Sequence, residues 1–261
     1  MPPRPSLPPP AVHLVVDRLD YGATRLFSEL DMTFPAGQWT CVLGPSGVGK
    51  STLLRLAAGL DTGGVLGPGT RASAGDGTPL TGRFVHMGQS DALMPWLGVL
   101  DNVLIGYRLR GGVPAAIRAR ALALLSEAGL AGRAGARPAA LSGGMRQRVA
   151  LVRTLVEDRP VVLMDEPFSA LDPPTRLRLG DLAARLLAGR TVVLVTHDPM
   201  EALRLGHRVL VLGGRPARPG AVIEPAGAPP RPPTAGDVTR HYAALLTRLA
   251  EAVDSEEDPA P

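Results

Sequence analysis

A chain of 261 residues with 45% hydrophobic content is long enough for one large domain or two modest ones and can fill a sizeable core. Lys+Arg 28 against Asp+Glu 24 leaves a net charge of +4 with no long basic run, which argues against a nucleic-acid partner. One cysteine, Cys41, excludes a disulfide framework and a cysteine-rich metal site, and no stretch approaches ~18 consecutive apolar residues, so a cytoplasmic chain that does not span a membrane is expected.

Residues 1 to 10 hold six prolines and no periodicity, and read as a disordered or extended leader without an apolar signal core. The run Val12 to Val16 predicts a strand, Asp20-Tyr21-Gly22 a turn, and Trp39 to Leu43 a buried strand ending at glycine. A helix is predicted from Lys50 to Ala58. Residues 61 to 82, crowded with Gly, Thr, Pro and Asp, predict turns between short edge strands, and Arg83 to Met87 the next strand. From about 91 to 158 the pattern turns helical, with Pro114 starting one helix and Gly129 stopping it. Pro160 to Met164 and Thr191 to Val195 are continuous apolar runs suited to central parallel strands, with a helix from Thr175 to Leu187 as the crossover. The stretch from 215 onward carries seven prolines between Pro216 and Pro233, a short helical pattern from His241 to Val253, and acidic residues at Glu256-Glu257-Asp258.

Gly44-Pro45-Ser46-Gly47-Val48-Gly49-Lys50-Ser51, followed by Thr52, satisfies the G-x-x-x-x-G-K-[ST] pattern between a predicted strand and a predicted helix. Glycines let the backbone curl so that amide N–H groups converge on a phosphate, the helix N-terminus adds partial positive charge, and Lys50 adds a full one. The Ser51 hydroxyl suits Mg²⁺. A phosphate loop alone is compatible with kinases, GTPases and ATPases. The run Val161-Val162-Leu163-Met164-Asp165-Glu166 narrows the choice: Asp165, at the end of a buried strand, reaches the metal shell, and Glu166 is placed to polarise an attacking water. That pair points to hydrolysis.

Upstream, Leu141-Ser142-Gly143-Gly144-Met145-Arg146-Gln147-Arg148 opens a helix just before the Asp-Glu strand. Here the chain resembles the ABC ATPase family, whose defining motif is LSGGQ; Met145 stands where glutamine is usual. The resemblance covers about residues 11 to 215 and implies a P-loop α/β fold with an antiparallel β edge and a helical subdomain inserted at about 91 to 158. It implies ATP and Mg²⁺ as ligands, and two copies closing on ATP so that Ser142, Gly143 and Gly144 of one face the phosphate loop of the other. It further implies adenine stacking on Tyr21, a glutamine at Gln89 that reaches Mg²⁺ and the attacking water, an interface acid at Asp172, and a γ-phosphate-sensing histidine at His197.

One compact ATPase half without a coiled-coil insert favours a transporter motor over a soluble ATPase acting on a macromolecule. The segment Ala92 to Val103, with Leu141 to Val149 and Phe168-Ser169-Ala170-Leu171-Asp172, looks like that of the nitrate, taurine and aliphatic-sulfonate importers, a look that pyrimidine-precursor importers share. Expected partners are a second, identical ATPase subunit, integral membrane permease subunits and, indirectly, a solute-binding protein, at the cytoplasmic face of the inner membrane. Met94, Pro95, Trp96 and Leu97 suit a permease contact, although Leu97 and Leu100 fit ordinary core packing equally well. The tail from 216 to 261 reads as a proline-rich linker, a docking helix and an acidic end.

Overall fold

The computed structural model of the protein describes residues 8 to 257. Strands β1 (Val12–Tyr21), β2 (Thr24–Phe34) and β3 (Trp39–Leu43) lead into helix α1 (Lys50–Ala57), then the short strands β4 (Val65–Leu66), β5 (Arg71–Ala74) and β6 (Phe84–Met87). Helices α2 (Val99–Val103), α3 (Ile105–Leu109), α4 (Ala115–Glu127) and α5 (Gly143–Val156) form the inserted helical part. The chain returns through β7 (Val161–Asp165), α6 (Pro173–Leu186), β8 (Thr191–Val195), α7 (Pro199–Leu205), β9 (Arg208–Gly213) and β10 (Arg218–Pro219), and α8 (Gly236–Glu257) follows.

The central sheet runs β10-β9-β3-β8-β7-β6; only β10 is antiparallel to its neighbour. Both faces are covered, which is why β3, β7 and β8 are apolar without alternation. Side chains of β7 and β8 divide between two cores. Val161, Leu163, Val193 and Val195 pack toward α1 and the second sheet, while Val162, Met164, Val192 and Leu194 pack toward α5, α6 and α7. The second sheet, β2-β1-β4 with β5 also on β1, is antiparallel throughout.

Register decides where chemistry can assemble. Asp165 pairs with Val195, Val42 with Val195, and Met87 with Met164, so the strands end level with one another and the loops after β3, β6, β7 and β8 share one edge of the sheet.

The helical stretch is more broken than its periodicity suggests. Residues 94 to 98 form a loop, held by fully buried Asn102: its Oδ1 accepts from the Met94 N–H at 2.7 Å, and its amide donates to the Met94, Leu97 and Gly98 carbonyls. Leu100 is core, 7% exposed, whereas Trp96 stands 67% exposed.

The two ends of the chain are more firmly packed than composition indicates. Residues 1 to 7 of the leader lie outside the described residues, but the Pro10 carbonyl accepts a hydrogen bond from Thr191 Oγ1 at 2.7 Å. The proline-rich stretch after β10 is fastened by Arg231, 4% exposed, whose guanidinium donates to the carbonyls of Leu203, Gly206, Pro225, Ala226 and Gly227. Five carbonyls satisfy a buried cation that charge counting alone would place on the surface. Helix α8 spans 22 residues, longer than the 241 to 253 pattern, because Val238 and Leu245 are fully buried in the larger core. The acidic run from 256 ends its helix and continues outside the described residues.

Candidate active site

The loop between β3 and α1 is shaped by its glycines. Gly44 has φ +153, and a Cβ there would lie 2.4 Å from the Leu212 carbonyl oxygen, so no other residue fits without moving β9. Gly49 has φ +105 and lies against Phe27, which leaves no room for a side chain. Between them the chain turns back through Pro45, Ser46, Gly47 and Val48, and Lys50 folds over it. The buried Nζ of Lys50 donates to the Gly44 and Pro45 carbonyls at 2.8 and 2.6 Å. Ser51 and Thr52 follow in the first turn of α1, with the helix dipole's positive end directed at the loop.

Across the sheet, β7 delivers Asp165, 4% exposed. Burial pushes this carboxyl above its ordinary value; a hydrogen bond with Ser51 and the Lys50 charge pull it down, and the neighbouring Glu166 pushes it up. Four apolar neighbours on β7, at about 1.5–3 kcal/mol each, outweigh the roughly several kcal/mol cost of holding one carboxyl out of water. Asp165 Oδ1 is buried with no protein partner, beside a serine hydroxyl and a lysine.

Glu166 leaves the strand with φ +48, a strained conformation for a residue with a side chain, and its N–H is held by the Val195 carbonyl at 2.9 Å. This turn aims its carboxylate across to the loop after β8, where His197 Nδ1 lies 3.2 Å from Glu166 Oε2. The loop is fixed in turn by Asp198, which caps α7 by accepting from the Met200 and Glu201 N–H groups and pairs with Arg176 of α6 at 2.8 Å. Beneath it sits Glu201, 6% exposed, whose carboxyl is pushed up to about 8 by burial despite a hydrogen bond with Thr196.

The remaining sequence-predicted residues fall around this edge. Gln89 is exposed on the loop leaving β6, two residues past the Met87–Met164 pair. Tyr21 ends β1 at 38% exposure, and its hydroxyl donates to the Thr62 carbonyl at 2.7 Å, which fixes the ring beside the loop before β4. Ser142 caps α5, accepting from the Met145 N–H at 3.3 Å, and Gly144 lies against the Ala170 carbonyl, where a Cβ would come within 2.9 Å. Asp172 caps α6 through the Thr175 N–H at 3.0 Å, a bond that lowers its pKa. Ser142, Gly143, Gly144 and Asp172 thus sit at two adjacent helix starts rather than on the phosphate-binding loop of the same chain.

Sequence reasoning missed several residues that shape the site, among them Gln147, Glu201 and Arg176. The available signal was helical periodicity: Gln147 shares its face with Ala150 and Leu151, and Glu201 shares its face with Leu205.

A parallel sheet with a glycine-shaped anion cradle, a buried lysine and a strand-end Asp-Glu pair defines a phosphate-binding-loop nucleoside triphosphatase. The ABC transporter family matches residues 27–169, and the chain belongs to that family as one of its ATP-hydrolysing subunits. The aliphatic sulfonates import ATP-binding protein SsuB 1 of Rhodococcus jostii is 48% identical over 196 residues, 74% of this chain and 75% of its own. Its counterpart SsuB 1 of Nocardia farcinica is 41% identical over 250 residues, 94% of both chains. Among solved structures, an ATP-binding cassette seen as a dimer in a post-hydrolysis state with ADP and Pi superposes with a TM-score of 0.70 at 30% identity, over 83% of this chain and 99% of that one. Among the described residues no helix is long and apolar enough to cross a membrane.

Proposed function

We propose that this chain is the motor of an importer for small anionic solutes of the aliphatic-sulfonate class, acting on membrane-spanning subunits supplied by other chains. The observation that carries the reading is the likeness to the Nocardia farcinica sulfonate import protein along 94% of both chains. Nitrate, taurine and pyrimidine precursors, the cargoes of the other importers that residues 92 to 103, 141 to 149 and 168 to 172 resemble, are the alternative solutes.

In the mechanism, two copies close on ATP. Lys50 and the N–H groups of residues 44 to 51 hold the phosphates from one side, and Ser142, Gly143 and Gly144 of the second copy hold them from the other. Asp172 lies at that interface, and Tyr21 offers its ring face to the adenine. The buried, unpartnered Oδ1 of Asp165 beside the Ser51 hydroxyl fits a divalent cation. Ser51, Asp165 and Gln89 would hold Mg²⁺, which when bound supplies positive charge to the phosphate oxygens. Glu166 polarises water toward the γ-phosphate, His197 orients that carboxylate and contacts the γ-phosphate, and Gln89 orders the water. The permease side is the cleft of about 300 Å³ between β6 and α3, lined by His86, Gly106, Arg110 and Arg153, with exposed Trp96 on the same helical part. A solute-binding protein completes the system from outside, and the chain sits peripherally at the cytoplasmic face.

Co-expression with neighbouring permease genes, followed by ATPase assay with the binding protein and an alkanesulfonate, tests this. Co-purification and a solute-dependent rise in hydrolysis support it. Absence of a membrane partner, with hydrolysis raised by DNA or ribosomes instead, overturns it.

A further inference from the structure

Gln147 lies one turn into α5 and is 8% exposed. Its amide is saturated by a single loop. Nε2 donates to the Glu166 carbonyl at 2.9 Å and to Ser169 Oγ at 3.0 Å, while Oε1 accepts from the Ala170 N–H at 2.7 Å. The orientation is fixed by the partners: a flipped amide would set oxygen against the Glu166 carbonyl and NH₂ against an N–H. Ser169 Oγ itself donates to the Glu166 carbonyl at 3.1 Å, which closes the network.

This carbonyl belongs to the residue with φ +48, and its N–H is held from the opposite side by Val195. A strained backbone persists only where its surroundings over-determine it. On the α5 side, Gln147 and Ser169 supply that restraint. The same loop, Ser169 to Leu171, runs directly to Asp172, and Gly144 of α5 abuts Ala170.

We propose that Gln147 is a positioning residue for hydrolysis: it holds the Glu166 backbone and the loop to Asp172 against the Ser142–Gly144 end of α5. The carboxylate thereby occupies its productive place only when that helix is seated. The proposal rests on the reading of Glu166 as the group that polarises the attacking water. A displacement of about 1 Å in such a group is enough to cost tenfold or more in rate without touching the residues that bind nucleotide.

The test compares parent, Q147M, Q147E, S169A and E166Q chains for kcat, ATP dissociation constant and thermal unfolding midpoint. Q147M keeps length and loses every hydrogen bond. Q147E keeps shape and the acceptor for Ala170 but loses the donors to Glu166 and Ser169. The expected result is a fall in kcat of about tenfold or more for both, with the ATP dissociation constant within about twofold of the parent. S169A, at an exposed position that leaves the core intact, gives a smaller fall of about threefold. Parental kcat in Q147E and S169A, or a parallel loss of kcat, ATP affinity and unfolding midpoint, overturns the proposal. E166Q separates the two readings: if it hydrolyses ATP at the parental rate, the role of Glu166 is wrong and this proposal loses its basis. If E166Q is inactive while Q147E is not, the proposal alone fails.

Discussion

His197 Nδ1 and Glu166 Oε2 stand 3.2 Å apart, one on the loop after β8 and the other on the turn after β7. Neither strand brings the pair together alone; the Asp165–Val195 register does. The consequence is a carboxylate whose direction is set by an imidazole while its backbone is held in a strained turn.

Glu166→Gln keeps the size of the side chain and one acceptor oxygen but removes the base. Hydrolysis is expected to fall by about 10²–10⁴-fold while nucleotide binding persists, and His197→Ala is expected to reproduce part of the loss. Single-turnover hydrolysis beside equilibrium binding of a fluorescent ATP analogue measures both. Unchanged turnover in Glu166→Gln excludes this carboxylate as the base.

On the proposed function, Lys50 contributes to binding the ground state as well. Its charge-assisted contact with phosphate is worth about 1.5–3 kcal/mol, so Lys50→Met should weaken ATP binding by roughly ten- to a hundredfold. Isothermal titration reads this directly, and an unchanged affinity would place the phosphates elsewhere.

Glu201 makes stability depend on pH. Its folded-state pKa is raised from 4.5 to about 8 by burial, so the folded chain keeps a proton that the unfolded chain releases. The contribution is fully present below the unfolded value near 4.5 and is lost as pH rises through about 8. Denaturant midpoints should therefore fall across that window, and Glu201→Gln should flatten the fall. Identical pH slopes for parent and variant would show that Glu201 is ionised in the folded chain.

Arg231 fastens the stretch between β10 and α8. Replacing it with methionine preserves apolar length but strands several buried carbonyls, a loss of about 3 kcal/mol or more. In a chain of this size that lowers the unfolding midpoint by about 6–12 °C, measurable by calorimetry. A midpoint within a degree of the parent would mean that the segment is not held by this cation.

Much of the site was legible because its chemistry is local. Residues 44 to 52 announce an anion cradle through glycine spacing and one lysine, and Asp165-Glu166 follow a run of apolar residues whose only sensible place is the middle of a parallel sheet. The boundaries of β3 and β8 match the apolar runs for the same reason. Helix α8 was less legible, since its apolar positions pair with α7 and β9 and carry no meaning without them. Arg231 could not be read at all: its five acceptors come from two segments of the chain, and nothing in its neighbourhood of prolines marks it as buried.

By itself the sequence determined the family, the phosphate loop and the carboxylate pair, because each is written in contiguous residues whose spacing is dictated by backbone geometry. Tertiary structure alone decided that Glu166 sits in a strained turn, that Gln147 holds its carbonyl while His197 meets its carboxylate, and that burial raises the Glu201 carboxyl. Those properties arise from strand register and burial, which join residues 19 to 31 positions apart and have no counterpart in local composition.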